Sequence, residues 1–111
     1  MDKIIGFIGT GNMGQAMISK LVQSSAVGKD RVVASEIAKP LREVVREKYG
    51  IKVFENAVDV AKEADYIVLS VKPNVYEIVL KDIKDHVKEG ATVISIGAGI
   101  SSKFLKENVR E

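Results

Sequence analysis

Three glycines near the N-terminus carry the strongest chemical signal in this 111-residue sequence. Gly9, Gly11 and Gly14 fit the spacing G-x-G-x-x-G and directly follow an apolar run at residues 4–8. In that setting the first glycine permits a tight turn, the second lets a diphosphate approach the backbone, and the third lets a helix pack closely. The helix that begins there offers free N–H groups and a positive dipole end to phosphate oxygens. The pattern therefore favours a dinucleotide-binding turn over a plain strand-to-helix link.

The same pattern predicts a group that contacts the ribose about 20 residues further on, at the end of the second strand. Ser35 and Glu36 lie at that place. A carboxylate there would hydrogen-bond the ribose 2′-hydroxyl and favour NAD, whereas a serine with a nearby cation would accept a 2′-phosphate and favour NADP. Lys39 and Arg42 are close enough in sequence to supply the cation, and each can equally be a solvated helix residue. The residues alone leave both interpretations open.

Two further loops are expected at the same crevice, because ligands of open parallel sheets lie beyond the carboxyl ends of the strands. Residues 70–73 follow the fourth predicted strand, and Lys72 there is either a phosphate or ribose contact or a surface lysine. Residues 97–99 follow the fifth, and their small side chains either admit a nicotinamide ring or merely turn the chain.

Apolar runs alternate with amphipathic stretches along the chain, which is the pattern of strands alternating with helices. The predicted strands are 4–8, 31–35, 52–54, 66–71 and 92–96. The predicted helices are 13–24, 40–49, a brief one capped by Asn56 and reaching Glu63, 75–87, and a last one from Ser101 or Ser102. This alternation predicts an α/β fold in which a doubly wound parallel sheet of the Rossmann type, of about five strands in the order 3-2-1-4-5, carries helices on both faces.

The spacing of apolar residues also predicts which helix faces are buried. In the first helix the expected stripe leaves Ile18 to one side and consists of Met13, Ala16, Met17 and Leu21. In the fourth helix the expected inner residues are Val75, Ile78, Val79, Ile83 and Val87.

Composition excludes several classes of function. The 17 basic and 15 acidic residues are interspersed, for a net charge of +2, which argues against a nucleic-acid or membrane-surface partner. Without cysteine there is no disulfide or thiolate metal site, and a reducing cytoplasm is the expected location. No metal-ligand cluster, nucleophile motif or general acid–base set is recognisable, so no catalytic residue and no metal ligand is assigned to this chain.

The motifs resemble those of pyrroline-5-carboxylate reductases over the whole length of the chain. The resemblance lies in Gly-Asn-Met-Gly at 11–14 followed by Ala-Met at 16–17, in 48–53 with Asn56, in 64–73, and in 93–101. It implies reduction of 1-pyrroline-5-carboxylate to L-proline, the last step of proline biosynthesis, by hydride transfer from the nicotinamide to a cyclic imine. NADPH is usually preferred over NADH in that family, so the resemblance implies NADP as the cofactor, with NAD possible.

The resemblance also implies roles for individual residues. Ser35 would lie by the adenosine 2′ position, Asn56 near the adenosine end, and Gly97 with Ala98 near the nicotinamide. Together, the motifs and the resemblance predict one set of cofactor-binding residues: Ile8, Gly9, Thr10, Gly11, Asn12, Met13, Gly14, Ser35, Glu36, Lys39, Asn56, Ser70, Val71, Lys72, Pro73, Gly97 and Ala98.

The sequence departs from the family in two respects. The loop at 97–99 reads Gly-Ala-Gly where Ala-Ala-Gly is common, and Glu111 stands where a sixth strand is expected to begin. The family's helical domain, which dimerises and supplies most of the substrate site, is therefore expected to be absent. We expect residues 1–111 to form only the dinucleotide-binding domain, which binds cofactor without turnover. The alternatives are a related 3-hydroxyacid dehydrogenase or coenzyme F420-dependent NADP reductase, and a non-catalytic nucleotide-binding module.

Overall fold

The computed structural model describes residues 3–95. Its strands are β1 (Ile5–Ile8), β2 (Val32–Ser35), β3 (Lys52–Phe54), β4 (Tyr66–Leu69) and β5 (Thr92–Ser95). Its α-helices are α1 (Asn12–Gln23), α2 (Lys39–Tyr49), α3 (Ala57–Glu63) and α4 (Tyr76–Ile83). Short 3-10 turns precede β2 and α4, at Lys29–Arg31 and Pro73–Val75. The predicted last helix, from Ser101 or Ser102, lies outside the described residues.

The strands form one parallel sheet whose order in the described range is β3-β2-β1-β4-β5. β1 lies at the centre, where Gly6 pairs with Val33 of β2 on one side and with Ile67 of β4 on the other. The predicted fold class and strand order are confirmed. Since all of these strands run in the same direction, the loops that follow them meet at one edge, which we call the carboxyl edge.

Successive side chains of each strand point to opposite faces of the sheet, so the described core has two layers. Phe7 belongs to the layer that α1 and α2 cover, which includes Ile18 and Val45. Ile8, the next residue, belongs to the layer under α3 and α4. Helices therefore cover both faces, as the strand order requires.

Gly6 allows α3 to approach the sheet more closely than any side chain would permit. A Cβ atom built on Gly6 would lie 2.4 Å from Cγ1 of Val60 and 2.9 Å from Cβ of Ala64. Both neighbours are fully buried and belong to the α3 side of the core. The backbone of β1 at Gly6 thus packs directly against side chains on the α3 side of the sheet, and no room is left for a methyl group.

The ends of α2 follow the sequence signals. Pro40 lies in the first turn, where its missing N–H removes no helical hydrogen bond. Gly50 ends the helix with φ of 68°, and its N–H donates to the carbonyl of Arg46 at 2.9 Å. A left-handed residue at this position is a common way for a helix to stop, and glycine adopts it without strain.

The predicted buried stripe of α1 is wrong in part: Met17 and Leu21 pack against the core, but the other two residues do not. Ile18 is completely buried, whereas Met13 is 63% exposed and Ala16 is also exposed. The buried face runs through Gly14 and Ile18, four residues apart. Because Gly14 has no side chain, it does not register in a pattern of apolar side chains, and the predicted stripe includes Met13 and Ala16 in place of Gly14 and Ile18.

The fourth helical region also differs from its prediction. α4 begins at Tyr76 rather than at residue 75, and its buried residues are Tyr76, Val79, Leu80 and Ile83. Their spacing of three, four and seven is that of a single helix face. Ile78, predicted to be inside, is 62% exposed because it lies off that face. Likewise, β4 ends at Leu69 and not at residue 71.

Candidate functional site

The glycine turn connects β1 to α1 at the carboxyl edge. Gly9 has φ of +93°, a conformation that side-chain-bearing residues rarely adopt. Its N–H donates to the carbonyl of Ser35 at 2.9 Å, which holds the turn against the end of β2. A Cβ atom here would also lie 2.7 Å from Cγ1 of Val71. Gly9 therefore makes the tight turn that the spacing predicts.

Gly11 leaves open space in front of the first turn of α1. It is the N-terminal cap residue, and a Cβ atom built on it meets no atom within 4 Å. In the described part of the chain, the backbone N–H groups of Asn12, Met13 and Gly14 donate to no protein acceptor. Bare amides beside empty space, at the positive end of a helix dipole, form an anion site that fits a diphosphate.

Gly14 brings α1 against the loop that follows β4. A Cβ atom on Gly14 would lie 2.9 Å from Oγ of Ser70 and 3.1 Å from the carbonyl oxygen of Gly9. The hydroxyl of Ser70 donates to the carbonyls of Ile8 and Gly9. Ser70 thus ties the ends of two neighbouring strands to the glycine turn, in space that only a glycine at position 14 leaves free.

Glu36 and Thr10 join the glycine turn to the end of β2. One carboxylate oxygen of Glu36 accepts the N–H of Thr10 at 2.9 Å and its hydroxyl at 2.8 Å. The other oxygen accepts the N–H of Ala38 at 3.1 Å. Thr10 is completely buried, so this contact fixes the carboxylate at the position where the pattern predicts ribose binding.

The two predicted cations lie nearby but are arranged differently. Arg42 donates through Nη1 to the carbonyls of Glu36 at 2.9 Å and Ile37 at 3.1 Å, and that nitrogen is 3.7 Å from Oε1 of Glu55. Its guanidinium therefore supports the loop after β2. Lys39, the first residue of α2, is exposed. Ser35 is buried at the end of β2, with 3% exposed.

Gln15 and Tyr49 support the glycine turn and were missed by the sequence analysis. The side-chain amide of Gln15 donates to the carbonyl of Thr10 at 2.9 Å, and the hydroxyl of Tyr49 donates to Oε1 of Gln15 at 3.2 Å. Tyr49 is the last residue of α2, and 34 positions separate it from Gln15. No local spacing could reveal this contact, because only the fold brings the two helices together.

The remaining predicted residues lie around the same edge. Asn56 precedes α3 at the capping position, but its side chain makes no capping hydrogen bond, contrary to the cap predicted. Val71 is half-buried against Gly9, and Lys72 is exposed. Pro73 begins the 3-10 turn before α4. Gly97 and Ala98 lie outside the described residues.

The opposite, amino edge of the sheet is closed by an ion pair. The carboxylate of Asp65 accepts the N–H of Ile4 at 2.8 Å and lies 2.9 Å from Nζ of Lys88. The hydrogen bond from Ile4, followed by the hydrogen bond and the charge of Lys88, holds the pKa of Asp65 below its ordinary value of 3.8. Lys88 also donates to the carbonyl of Glu63 at 3.2 Å.

Residues 3–95 contain no group of three or more histidine, cysteine, aspartate or glutamate side chains that could hold a metal ion. In the same range, no helix is both long and apolar enough to cross a membrane. The polar groups at the carboxyl edge include the backbone amides of α1, the hydroxyls of Thr10 and Ser70, the carboxylate of Glu36 and the guanidinium of Arg42.

Known proteins match nearly the whole length of this chain. A family described as coenzyme F420-dependent NADP oxidoreductase matches residues 4–99. A pyrroline-5-carboxylate reductase from Methanosarcina acetivorans is 33% identical over 107 residues, which are 96% of this chain and 40% of the relative. The resemblance to pyrroline-5-carboxylate reductases expected from the motifs is thereby confirmed, and this chain spans about two fifths of that relative.

Solved structures agree on the fold. A pyrroline-5-carboxylate reductase from Coxiella burnetii superposes with a TM-score of 0.91 at 25% identity, over 98% of this chain and 40% of that protein. The Plasmodium falciparum pyrroline carboxylate reductase with NADP bound gives a TM-score of 0.82 at 24% identity, over 99% of this chain and 39% of that protein. Because its sequence identity is 24%, the Plasmodium falciparum structure supports the fold alone.

Proposed function

Because this chain belongs to the coenzyme F420-dependent NADP oxidoreductase family and resembles pyrroline-5-carboxylate reductases, we propose that it is the cofactor-binding domain of such a reductase. The observation that carries the proposal is the row of free amides at Asn12, Met13 and Gly14 beside the open space at Gly11. This arrangement suits the diphosphate of a nicotinamide dinucleotide. The protein would reduce 1-pyrroline-5-carboxylate to L-proline, the last step of proline biosynthesis.

The residues of this chain would bind and orient the cofactor. Gly9 and Ser70 shape the turn, the first turn of α1 holds the diphosphate, and Glu36 marks the ribose position. When bound, the dinucleotide supplies the hydride. The substrate clamp and the subunit contacts belong to the rest of the protein in this proposal, since the chain spans 40% of its Methanosarcina relative. The lack of cysteine fits a cytoplasmic location.

Substitution of Gly11 by valine tests the diphosphate site. Gly11 has φ of −72°, which any residue adopts, and its Cβ direction is empty, so Gly11→Val leaves the fold intact. The added side chain fills the space over the amides, and calorimetric titration with NADH and NADPH should show at least about a hundredfold loss of affinity, roughly 2.7 kcal/mol. Ala26→Val, at an exposed position beyond the far end of α1, is the matched control. Unchanged affinity in Gly11→Val would place the phosphates elsewhere.

The reaction is tested with a chimera in which this chain replaces the matching N-terminal segment of the Methanosarcina acetivorans relative. The chimera should form proline from 1-pyrroline-5-carboxylate, and its Gly11→Val version should not. A chimera that binds the dinucleotide but reduces no 1-pyrroline-5-carboxylate would contradict the proposed reaction. The 111-residue chain alone should bind the dinucleotide without turnover.

The matched family description favours one second candidate, an exchange of hydride between NADP and coenzyme F420. The same first domain would serve either reaction, because both need the dinucleotide at the glycine turn. Assaying the chimera with reduced coenzyme F420 and NADP separates the two. Activity with that coenzyme, and none with 1-pyrroline-5-carboxylate, would favour the second candidate.

A further inference from the structure

The end of β2 lies directly against the glycine turn. Gly9 donates its N–H to the carbonyl of Ser35 at 2.9 Å, and Glu36 donates its own N–H to the carbonyl of Phe54 at 2.9 Å. Glu36 is thus held on both sides, at the strand end where the ribose of a bound dinucleotide lies in this fold. The residue that follows β2 therefore lies where the 2′ position of that ribose is expected.

Its carboxylate is fixed by three hydrogen bonds. Thr10 donates both its N–H and its hydroxyl to one oxygen, and Ala38 donates its N–H to the other. The N–H of Thr10 belongs to the glycine turn itself, so the negative charge stands beside the diphosphate site. A carboxylate accepts a hydrogen bond from a ribose 2′-hydroxyl and repels a 2′-phosphate.

Among the described residues, neither nearby cation forms a salt bridge with this carboxylate. Arg42 donates through Nη1 to two backbone carbonyls, and the same nitrogen lies 3.7 Å from the carboxylate of Glu55. Lys39 is exposed to solvent, where water and salt weaken its field. The charge held directly against the glycine turn is therefore that of Glu36, whereas the guanidinium of Arg42 is held by the carbonyls of the loop after β2.

We propose that Glu36 makes this chain select NADH over NADPH, by accepting the 2′-hydroxyl of the adenosine ribose and excluding a phosphate from that position. The inference rests on the proposed function, since it needs a dinucleotide at the glycine turn. It departs from the NADP expected from the family resemblance and selects one of the two interpretations that the residues alone left open. It also separates this chain from the Plasmodium falciparum relative whose structure has NADP bound.

The experiment is a calorimetric titration of the 111-residue chain with NADH and NADPH, repeated with Glu36→Gln and with Glu47→Gln. The wild-type chain should bind NADH at least about tenfold more tightly than NADPH. Glutamine at position 36 keeps an oxygen for Thr10 but removes the charge, so NADPH affinity should rise by about tenfold. NADH affinity should fall, because an amide accepts the 2′-hydroxyl less strongly than a carboxylate does. Glu47, exposed on α2, is the control for the change in net charge and should leave the ratio as it was.

The outcomes separate this inference from the function on which it rests. Tighter binding of NADPH by the wild-type chain, or an unchanged ratio in Glu36→Gln, would overturn the role of Glu36 and leave the diphosphate site standing. Failure of both dinucleotides to bind would overturn the proposed function, and this inference with it. The wild-type ratio is decisive even if the variant does not fold.

Discussion

The two edges of the sheet treat their backbone N–H groups differently. At the amino edge, the N–H of Ile4 donates to the carboxylate of Asp65, and Lys88 pairs with the same carboxylate. At the carboxyl edge, the amides of Asn12, Met13 and Gly14 have no acceptor among residues 3–95. The N–H of Ile4 thus has a protein acceptor, whereas the first three amides of α1 have none within the described residues.

This difference indicates how the domain divides its work. A donor with a protein acceptor contributes to stability at all times, and a free donor contributes only when a ligand arrives. Substitutions at the amino edge should therefore change stability but not affinity, whereas those at the carboxyl edge should change affinity more than stability. The predictions below test this division, beginning with a residue that serves both edges.

Gly6→Val should have the largest effect. Gly6 lies in β1 between the two edges of the sheet. A valine side chain there would overlap Val60 and Ala64, which belong to the buried core on the α3 side. Overpacking of this kind costs about 3 kcal/mol or more, and stability and binding should be lost together. Thermal unfolding followed by circular dichroism measures the first, and calorimetry the second. A stable Gly6→Val protein would show that α3 can shift away from the sheet.

Asp65→Ala should destabilise the domain by about 2 kcal/mol, because it leaves the N–H of Ile4 without its acceptor and the charge of Lys88 without its carboxylate partner. Dinucleotide affinity should stay within about twofold, less than 0.5 kcal/mol, since the change is confined to the amino edge. Urea unfolding and calorimetry check the two halves of this prediction. Glu63→Gln, which removes the exposed Lys52 pair at 3.5 Å, is the control and should change neither. A large loss of affinity in Asp65→Ala would mean that the edges are coupled.

Ser70→Ala should have a smaller effect, which falls on dinucleotide affinity more than on stability. It removes the hydroxyl that donates to the carbonyls of Ile8 and Gly9, so the glycine turn is less well held. We expect affinity for the dinucleotide to fall about fivefold, corresponding to roughly 1 kcal/mol. The added dinucleotide should raise the unfolding temperature less than it does in the wild-type chain. If stability fell as far as in Asp65→Ala while affinity held, the proposed division would be wrong.

Acid should reveal the smallest effect. Ile4 and Lys88 lower the pKa of Asp65 in the folded protein, so the Asp65 carboxylate takes up its proton at a higher pH in the unfolded protein than in the folded one. The stability that Asp65 contributes is therefore complete above the unfolded pKa of about 3.8 and is lost as the pH falls through the lower folded value. We expect the unfolding temperature to fall less steeply in Asp65→Asn than in the wild type as the pH is lowered from about 5 to about 2. Parallel curves would contradict the lowered pKa.

The sequence predicted the order of the strands and the glycine turn because both depend on local patterns. Gly9, Gly11 and Gly14 have a fixed spacing, and each buried strand is a short apolar run. The contact between Gln15 and Tyr49 was not predictable, since its partners lie on helices that only the finished sheet brings together.

The buried face of α1 was mistaken for a related reason. Gly14 packs against Ser70 through its backbone, and a residue without a side chain leaves no mark in a hydrophobic pattern. The pairing of Asp65 with Lys88 was also missed, because two charged residues 23 positions apart, before β4 and before β5, give no sequence signal. Close packing and distant ion pairs are thus the features that a single sequence hides.

The central place of β1 has a consequence for how such a domain can diversify. Its neighbours β2 and β4 lead into helices on opposite faces, so the loops at their ends diverge and a crevice opens over β1. The crevice exists because of chain topology and not because of the side chains that line it. Mutations in those loops can retune ligand choice while the two cores stay intact, which would let one ancestral scaffold supply many different enzymes.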